Sequence, residues 1–96
     1  LRRGVIVLAA LSQLGTEQYG YSLLKQLADL GLEVDQGTLY PLLRRLEAQG
    51  LLVSVWKLEE ARPRRYYVIS AEGKKLLPKL KKEWAGIVSV MDKMLA

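Results

Sequence analysis

The segment from Asp35 to Leu52, DQGTLYPLLRRLEAQGLL, most constrains what this chain can fold into. Leu39, Leu42, Leu43 and Leu46 recur at spacings of three and four, which sets four leucines along one side of a helix. A helix with an all-leucine side has to lie on a core. Asp35 suits the cap position, where its carboxylate accepts from amides that lack an intrahelical partner. With that cap, Pro41 falls inside the helix and deletes one backbone hydrogen bond, so some distortion is expected near it. Thr38 as the cap would place Pro41 in the first turn. Asp35 is preferred because Leu39 already belongs to the leucine stripe. Gly50 stops the helix, since glycine reaches the left-handed conformation without steric cost. Thr38, Tyr40, Arg44 and Arg45 are read as the opposite, polar and cationic face. A major groove accepts such a helix, and so does the ordinary surface of a protein. The flanking segments decide between the two.

Ninety-six residues allow one small domain, or one domain plus an extra element. Half the residues are apolar and twenty are leucine, enough for one compact core. A domain of this size buries a limited share of its surface, so a second copy would add stability. The chain has no cysteine and no histidine. Disulfides and the usual zinc ligands are therefore excluded, together with the commonest general base and the thiol nucleophile. No metal or other cofactor is expected. The lack of cysteine fits a reducing compartment, and a cytoplasmic location is expected. No apolar run reaches the ~18 residues of a membrane span. Val5 to Leu11 is too short, and no small-residue cleavage site follows it. The first residue is leucine rather than methionine, so native residues are expected upstream.

The net charge is +5 and it is unevenly placed. Residues 1–35 hold three cations against four anions, whereas 36–70 and 71–96 each hold six against three. Basicity begins with the leucine-striped helix and persists beyond it. An anionic partner is implied for that region. For the lysines of the last segment, solubility alone is an equally good account.

Upstream, Arg3 to Leu14 is nearly all apolar and too long for a typical strand, so a buried helix is expected. Tyr19-Gly20-Tyr21-Ser22 opens a second helix, with Leu23, Leu24, Leu27, Ala28 and Leu30 expected to face inward and Gly31 to close it. Leu32-Glu33-Val34 is a short extended link. After Gly50 the pattern turns to strands, Leu51–Leu58 and Arg65–Ile69, around a polar loop from Glu59 to Arg64. This reads as a β-hairpin with a basic tip and a basic returning strand. Three helices followed by such a hairpin describe a winged helix-turn-helix, mainly α with a β-hairpin wing.

Ser70 caps the last helix, with Glu72 in its first turn. Its apolar residues Leu77, Leu80, Trp84, Ile87, Met91 and Met94 form a heptad seam of ~2.5 repeats. Val88 and Leu95 widen it. The seam packs either on its own domain or on the same helix of a second copy. Its length and continuity favour the second copy. The expected organisation is a DNA-binding unit over residues 1–70 and a C-terminal dimerisation helix over 71–96.

Five blocks of this sequence resemble the PadR family of bacterial transcriptional regulators. They are Tyr19-Gly20-Tyr21-Ser22-Leu23-Leu24, Gly37-Thr38-Leu39-Tyr40-Pro41-Leu42-Leu43-Arg44-Arg45-Leu46-Glu47, Gly50-Leu51-Leu52, Pro63-Arg64-Arg65-Tyr66-Tyr67 and Ser70-Ala71-Glu72-Gly73. Together they span nearly the whole chain. The resemblance is to the small subfamily with a single C-terminal helix. It implies a winged-helix DNA-binding domain, a homodimer through C-terminal helices, and a pseudo-palindromic double-stranded DNA operator. It also implies that the helix bearing Thr38 enters the major groove while the wing at Arg64 and Arg65 lies along the backbone or in the minor groove. The expected DNA-contacting residues are Gln36, Thr38, Tyr40, Arg44, Arg45, Arg64 and Arg65. Some small members of the family bind flat aromatic compounds between paired C-terminal helices with a tryptophan placed like Trp84. That implies a planar aromatic effector here, where the alternative is a tryptophan buried in the seam. Two departures stand out: Pro78 inside the last helix, where a kink or a break is expected, and Arg62-Pro63 where the family often carries glycines at the wing tip.

The function expected is a ligand-responsive, dimeric, sequence-specific repressor. The alternative is a winged-helix docking module that binds protein rather than DNA. An enzyme is not expected: Glu59-Glu60 is the lone adjacent acidic pair, and it sits in a polar loop.

Overall fold

The computed structural model describes residues 2–96, which leaves Leu1, the first residue of the expected DNA-binding unit, outside the description. In chain order the elements are α1 (Arg2–Gln13), β1 (Gln18–Tyr19), α2 (Gly20–Asp29), α3 (Gln36–Ala48), β2 (Leu52–Glu59), β3 (Arg62–Ile69) and α4 (Ala71–Leu95). The three strands form one antiparallel sheet in the order β1-β3-β2. This is the winged-helix arrangement, mainly helical with a small sheet.

The core is a leucine cluster. Ile6, Ala10, Leu11 and Leu14 of the α1 region meet Leu23 and Leu27 of α2 and Leu39, Leu42, Leu43 and Leu46 of α3. Leu52, Tyr67 and Ile69 close it from the sheet. No polar or charged side chain among the described residues is buried. Two inward assignments fail: Ala28 is exposed, and Leu30 is 66% exposed at the cap after α2. The helix ends before Leu30 could join the stripe.

Capping chemistry sets the helix ends. Asp35 accepts from the Thr38 amide at 2.7 Å, and Ser70 accepts from the Gly73 amide at 3.0 Å. After α3, the Gly50 amide donates to the Glu47 carbonyl and the Leu51 amide to that of Leu46, both at 2.9 Å. This paired bonding is the Schellman motif, and it requires the positive φ of +80° that Gly50 adopts. The α3 helix continues through Pro41, and α4 continues through Pro78 for 25 residues. Neither proline divides its helix.

The hairpin differs from the expected polar loop. Strands β2 and β3 stay paired to Glu59 and Arg62, so the turn is only Glu60-Ala61. Both turn residues have positive φ, 49° and 65°. Two such residues make the mirror-image turn whose twist matches a hairpin. Pro63 therefore lies within β3 opposite Leu58 and not at the tip. β1, two residues long, has no counterpart among the sequence expectations. It pairs Gln18 with Tyr67 and Tyr19 with Tyr66.

The α4 helix begins as part of this body. A Cβ on Gly73 would come within 2.3 Å of the Leu51 carbonyl oxygen, so only glycine permits the approach. Leu76, Leu77 and Leu80 then pack against the core. Leu77 and Leu80, expected in an intermolecular seam, are thus half-buried within their own chain. Beyond them every residue of α4 is exposed, and the molecule extends 55 Å along its longest axis against 26 and 19 Å across. Among the described residues no helix is long and apolar enough to cross a membrane.

Candidate nucleic-acid interface

With its leucines facing inward, α3 leaves one side to solvent. At about 100° per residue, Gly37, Pro41, Arg44 and Ala48 follow one another along its outermost line. Thr38 and Arg45 lie on one flank of that line, and Tyr40 and Glu47 on the other. Thr38 and Tyr40 are about 200° apart and cannot share a face. The single polar face read from the sequence is therefore two flanks. Gln36, Thr38, Arg44 and Arg45 are exposed, whereas Tyr40 is half-buried against the core. Tyr40 abuts the start of α2: a Cβ on Gly20 would sit 2.8 Å from its Cε1. Burial there pushes the Tyr40 phenol pKa up, with Tyr21 and Tyr19 adding to the shift.

The Tyr40 flank opens on a cleft of about 720 Å³ between α3, the start of α2 and the wing. Tyr19, Tyr21, Tyr40, Tyr67 and Trp56 line it, together with Arg44, Arg62, Arg64 and Arg65. The cleft gathers three of the expected arginines, Arg44, Arg64 and Arg65, and adds Arg62. It does not include Arg45.

Arg64 and Arg65 do not act as a pair. Successive side chains of a strand leave opposite faces of the sheet. Arg65 shares a face with Trp56 and Tyr67, its guanidinium 5.8 and 5.5 Å from their ring centres. It also bonds the Glu47 carboxylate and reaches the Ser54 hydroxyl at 3.1 Å. Ser54 donates to the same carboxylate. Glu47 thus fastens the wing to α3. Arg64 leaves the other face, where its guanidinium lies 4.4 Å from the Tyr19 ring centre and 3.9 Å from Glu59. On that face Tyr66 donates to Glu59, and the bond pushes its pKa up to about 12. Lys57 lies over the Tyr66 ring and pairs with Glu17. Arg62 is exposed beside the turn and is in no ion pair among the described residues.

The Thr38 flank faces a second hollow, of about 410 Å³, between α3 and the start of α1. Arg2, Arg3 and Arg45 line it with Thr38, Gly37 and Pro41. The part of Arg2 and Arg3 was invisible in the sequence, because the contact joins residues more than thirty positions apart. Nothing local marks such an approach.

On α4, the expected seam residues Trp84, Ile87, Met91 and Met94 are all exposed, as are Val88, Val90 and Leu95. A shallow hollow beside Trp84 is lined by Ala85, Val88, Ser89, Asp92 and Lys93. Among the described residues there is no cluster of carboxylates suited to hold a metal ion.

Comparison with known proteins agrees with this architecture. A transcriptional regulator of Mycobacterium tuberculosis is 44% identical over 61 residues, which are 64% of this chain and 57% of that protein. The match thus spans little more than half the length of this curated relative. The crystal structure of a PadR family transcriptional regulator from Eggerthella lenta superposes with a TM-score of 0.91 at 45% identity, covering 98% of this chain and 84% of the other. A PadR family regulator from Clostridium difficile gives a TM-score of 0.85 at 32% identity, covering 95% and 98%. The family model for PadR-like transcriptional regulators matches residues 7–79, from the middle of α1 into α4, and the chain belongs to that family.

Proposed function

We propose that this protein is a sequence-specific DNA-binding transcriptional repressor that works as a homodimer in the cytoplasm. The observation that carries the reading is α3 itself: a helix pinned by four leucines, whose outer line is free and whose two flanks border hollows lined by arginines. In this reading residues 1–70 supply the DNA-binding unit. Gln36, Thr38, Arg44 and Arg45 on α3 approach the major groove, whose floor presents base edges and whose rims are the phosphate backbones. Tyr40, Arg64 and Arg65, with Arg62, form the wing cleft that receives the sugar-phosphate backbone. Residues 71–96 supply dimerisation through Trp84, Ile87, Met91 and Met94, while Leu77 and Leu80 root the helix in the body. Two copies would then set their α3 helices about one duplex turn, ~34 Å, apart on a pseudo-palindromic operator.

A planar aromatic effector fits at the dimer axis, where two Trp84 indoles could stack on it. A shift in the spacing of the α3 helices would release DNA, by no more than the effector's differential affinity for the two dimer states. Quenching of tryptophan fluorescence by planar dyes, lost in Trp84→Ala, tests this against Trp56 as the second emitter.

The docking alternative draws on the wing, where Val53, Val55, Trp56 and Leu58 are exposed. Selection of duplexes from a random pool, followed by footprinting, decides between the two. A two-fold symmetric footprint upholds the repressor reading, and failure to enrich any duplex favours docking.

A further inference from the structure

The wing cleft accounts for one flank of α3 and leaves the other unexplained. On that other flank three arginines from two separate helices line one hollow with Thr38. No carboxylate among the described residues lines it. Arg2, Arg3 and Arg45 are in no ion pair among the described residues, and all three are exposed. The nearby Asp35 carboxylate is committed to capping α3 through Thr38. Arg2 is steadied by a 2.7 Å hydrogen bond from its guanidinium to the Glu33 carbonyl. Three like charges around one hollow repel one another, and an anion among them would offset that repulsion. The other cationic surface is different in kind: Arg64 and Arg65 are partly neutralised by Glu59 and Glu47.

We propose that the hollow formed by Arg2, Arg3, Thr38 and Arg45 seats phosphates of the duplex strand opposite the one held by the wing cleft. The inference rests on the DNA-binding reading and extends it to residues of α1. A helix lying in a major groove has a backbone on each side, because the groove is only ~12 Å wide. The two flanks of α3, about 160° apart around its axis at Arg45 and Glu47, each face cations: Arg45 with Arg2 and Arg3 on one side, and Arg65, fastened to Glu47 at the wing cleft, on the other. One cleft therefore meets each strand. α1 becomes part of the interface, and α3 is held in its groove by phosphate contacts from both edges.

The test uses the full chain, a mixed-sequence duplex and an operator selected from a random pool. Arg3→Ala and Arg45→Ala are each expected to lower the slope of log affinity against log salt by about one unit, and the double variant by about two. Both duplexes should be affected alike. Phosphate ethylation interference should lose its signal on one strand in Arg3→Ala and Arg45→Ala, and on the other in Arg62→Ala. All these side chains are exposed, so unchanged thermal midpoints are expected for the variants. Slopes that fall in Arg62→Ala but not in Arg3→Ala or Arg45→Ala would overturn the inference and leave the DNA-binding reading standing. Interference lost on the same strand in all variants would also overturn it. Slopes unchanged in every variant would remove the DNA-binding reading itself.

Discussion

Helix α3 and the far half of α4 carry the same kind of pattern and meet opposite fates. In both, apolar side chains recur at spacings of three and four. In α3 every one of them, Leu39, Leu42, Leu43 and Leu46, is buried within the chain. In α4 beyond Leu80 every one of them is exposed, from Val88 at 38% to Leu95 at 76%. The periodicity states that a face needs cover and is silent on what supplies it. Position decides: α3 has α1, α2 and the sheet around it, whereas α4 runs past the end of the body after three leucine contacts.

The largest expected effect comes from cutting α4 on either side of that divide. Truncation after Lys75 removes Leu76, Leu77 and Leu80. Half-buried leucines contribute on the order of 1 kcal/mol each. Losing three costs the body about 3 kcal/mol, a large share of the ~5–15 kcal/mol typical of a small domain. Truncation after Lys82 removes only the exposed stripe. It should leave urea unfolding of the body cooperative and make its midpoint independent of protein concentration, whereas the full chain's midpoint rises with concentration. Equal damage from both cuts would erase the distinction between the two halves.

Single substitutions sharpen it. Leu43→Ala opens a cavity in the core and should cost about 2–5 kcal/mol at any concentration. Ile87→Ala should change the dilute monomer by no more than about 0.5 kcal/mol. Its effect should appear in sedimentation, as a weakened dimer. A large loss of monomer stability in Ile87→Ala would mean that the far half of α4 is covered by its own chain after all.

Most of α3 was legible in the sequence because its determinants are local. Asp35, the leucine stripe and Gly50 each act within four residues of the place they control. The body end of α4 was legible at Ser70 for the same reason. What escaped depended on distance or on twist. β1 is two residues long and exists because β3 offers it an edge. The turn at Glu60-Ala61 uses neither glycine nor asparagine at its positive φ angles, so no turn signal marked it. Thr38 and Tyr40 were grouped by polarity, although helical rotation separates them. Arg64 and Arg65 were grouped by adjacency, although a strand sends neighbours to opposite faces. Glu47 was read only as part of a family block. Its bonds to Ser54 and Arg65 lie across the fold.

That fastening makes a third, smaller contrast between the closed body and the open helix. Glu47→Ala frees the wing from α3 and leaves Arg65 without its carboxylate. Coupling between Glu47 and Arg65 in a double-mutant cycle should fall between about 0.5 and 3 kcal/mol. DNA affinity should drop in both single variants through a displaced wing. The salt slope should fall by less in Arg65→Ala than in Arg62→Ala, because the Arg65 charge is shared with Glu47 whereas Arg62 is in no ion pair. Full additivity of the two single variants would show that wing and helix are placed independently.

The smallest effect uses alkaline pH to separate the two regions optically. Every tyrosine lies in the body, at positions 19, 21, 40, 66 and 67, while Trp84 is the aromatic residue of α4. Tyr66 donates a hydrogen bond to Glu59, and that bond pushes its pKa up to about 12 from an ordinary 10.0. Burial also raises Tyr40 and Tyr67. A raised phenol favours the folded state while it stays protonated. The stabilisation is therefore complete below pH 10, where the unfolded phenol is also neutral, and is lost as pH rises through about 12. Ultraviolet titration should show the late Tyr66 ionisation in the folded chain and an earlier one in Glu59→Ala. Over the same interval the body's unfolding midpoint should decline. Glu59→Ala should flatten that decline, because the bond that separates the two states is gone. If Glu59→Ala leaves the titration unchanged, the Tyr66 proton is not held by that carboxylate, and the outer face of the wing contributes nothing specific to closing the body.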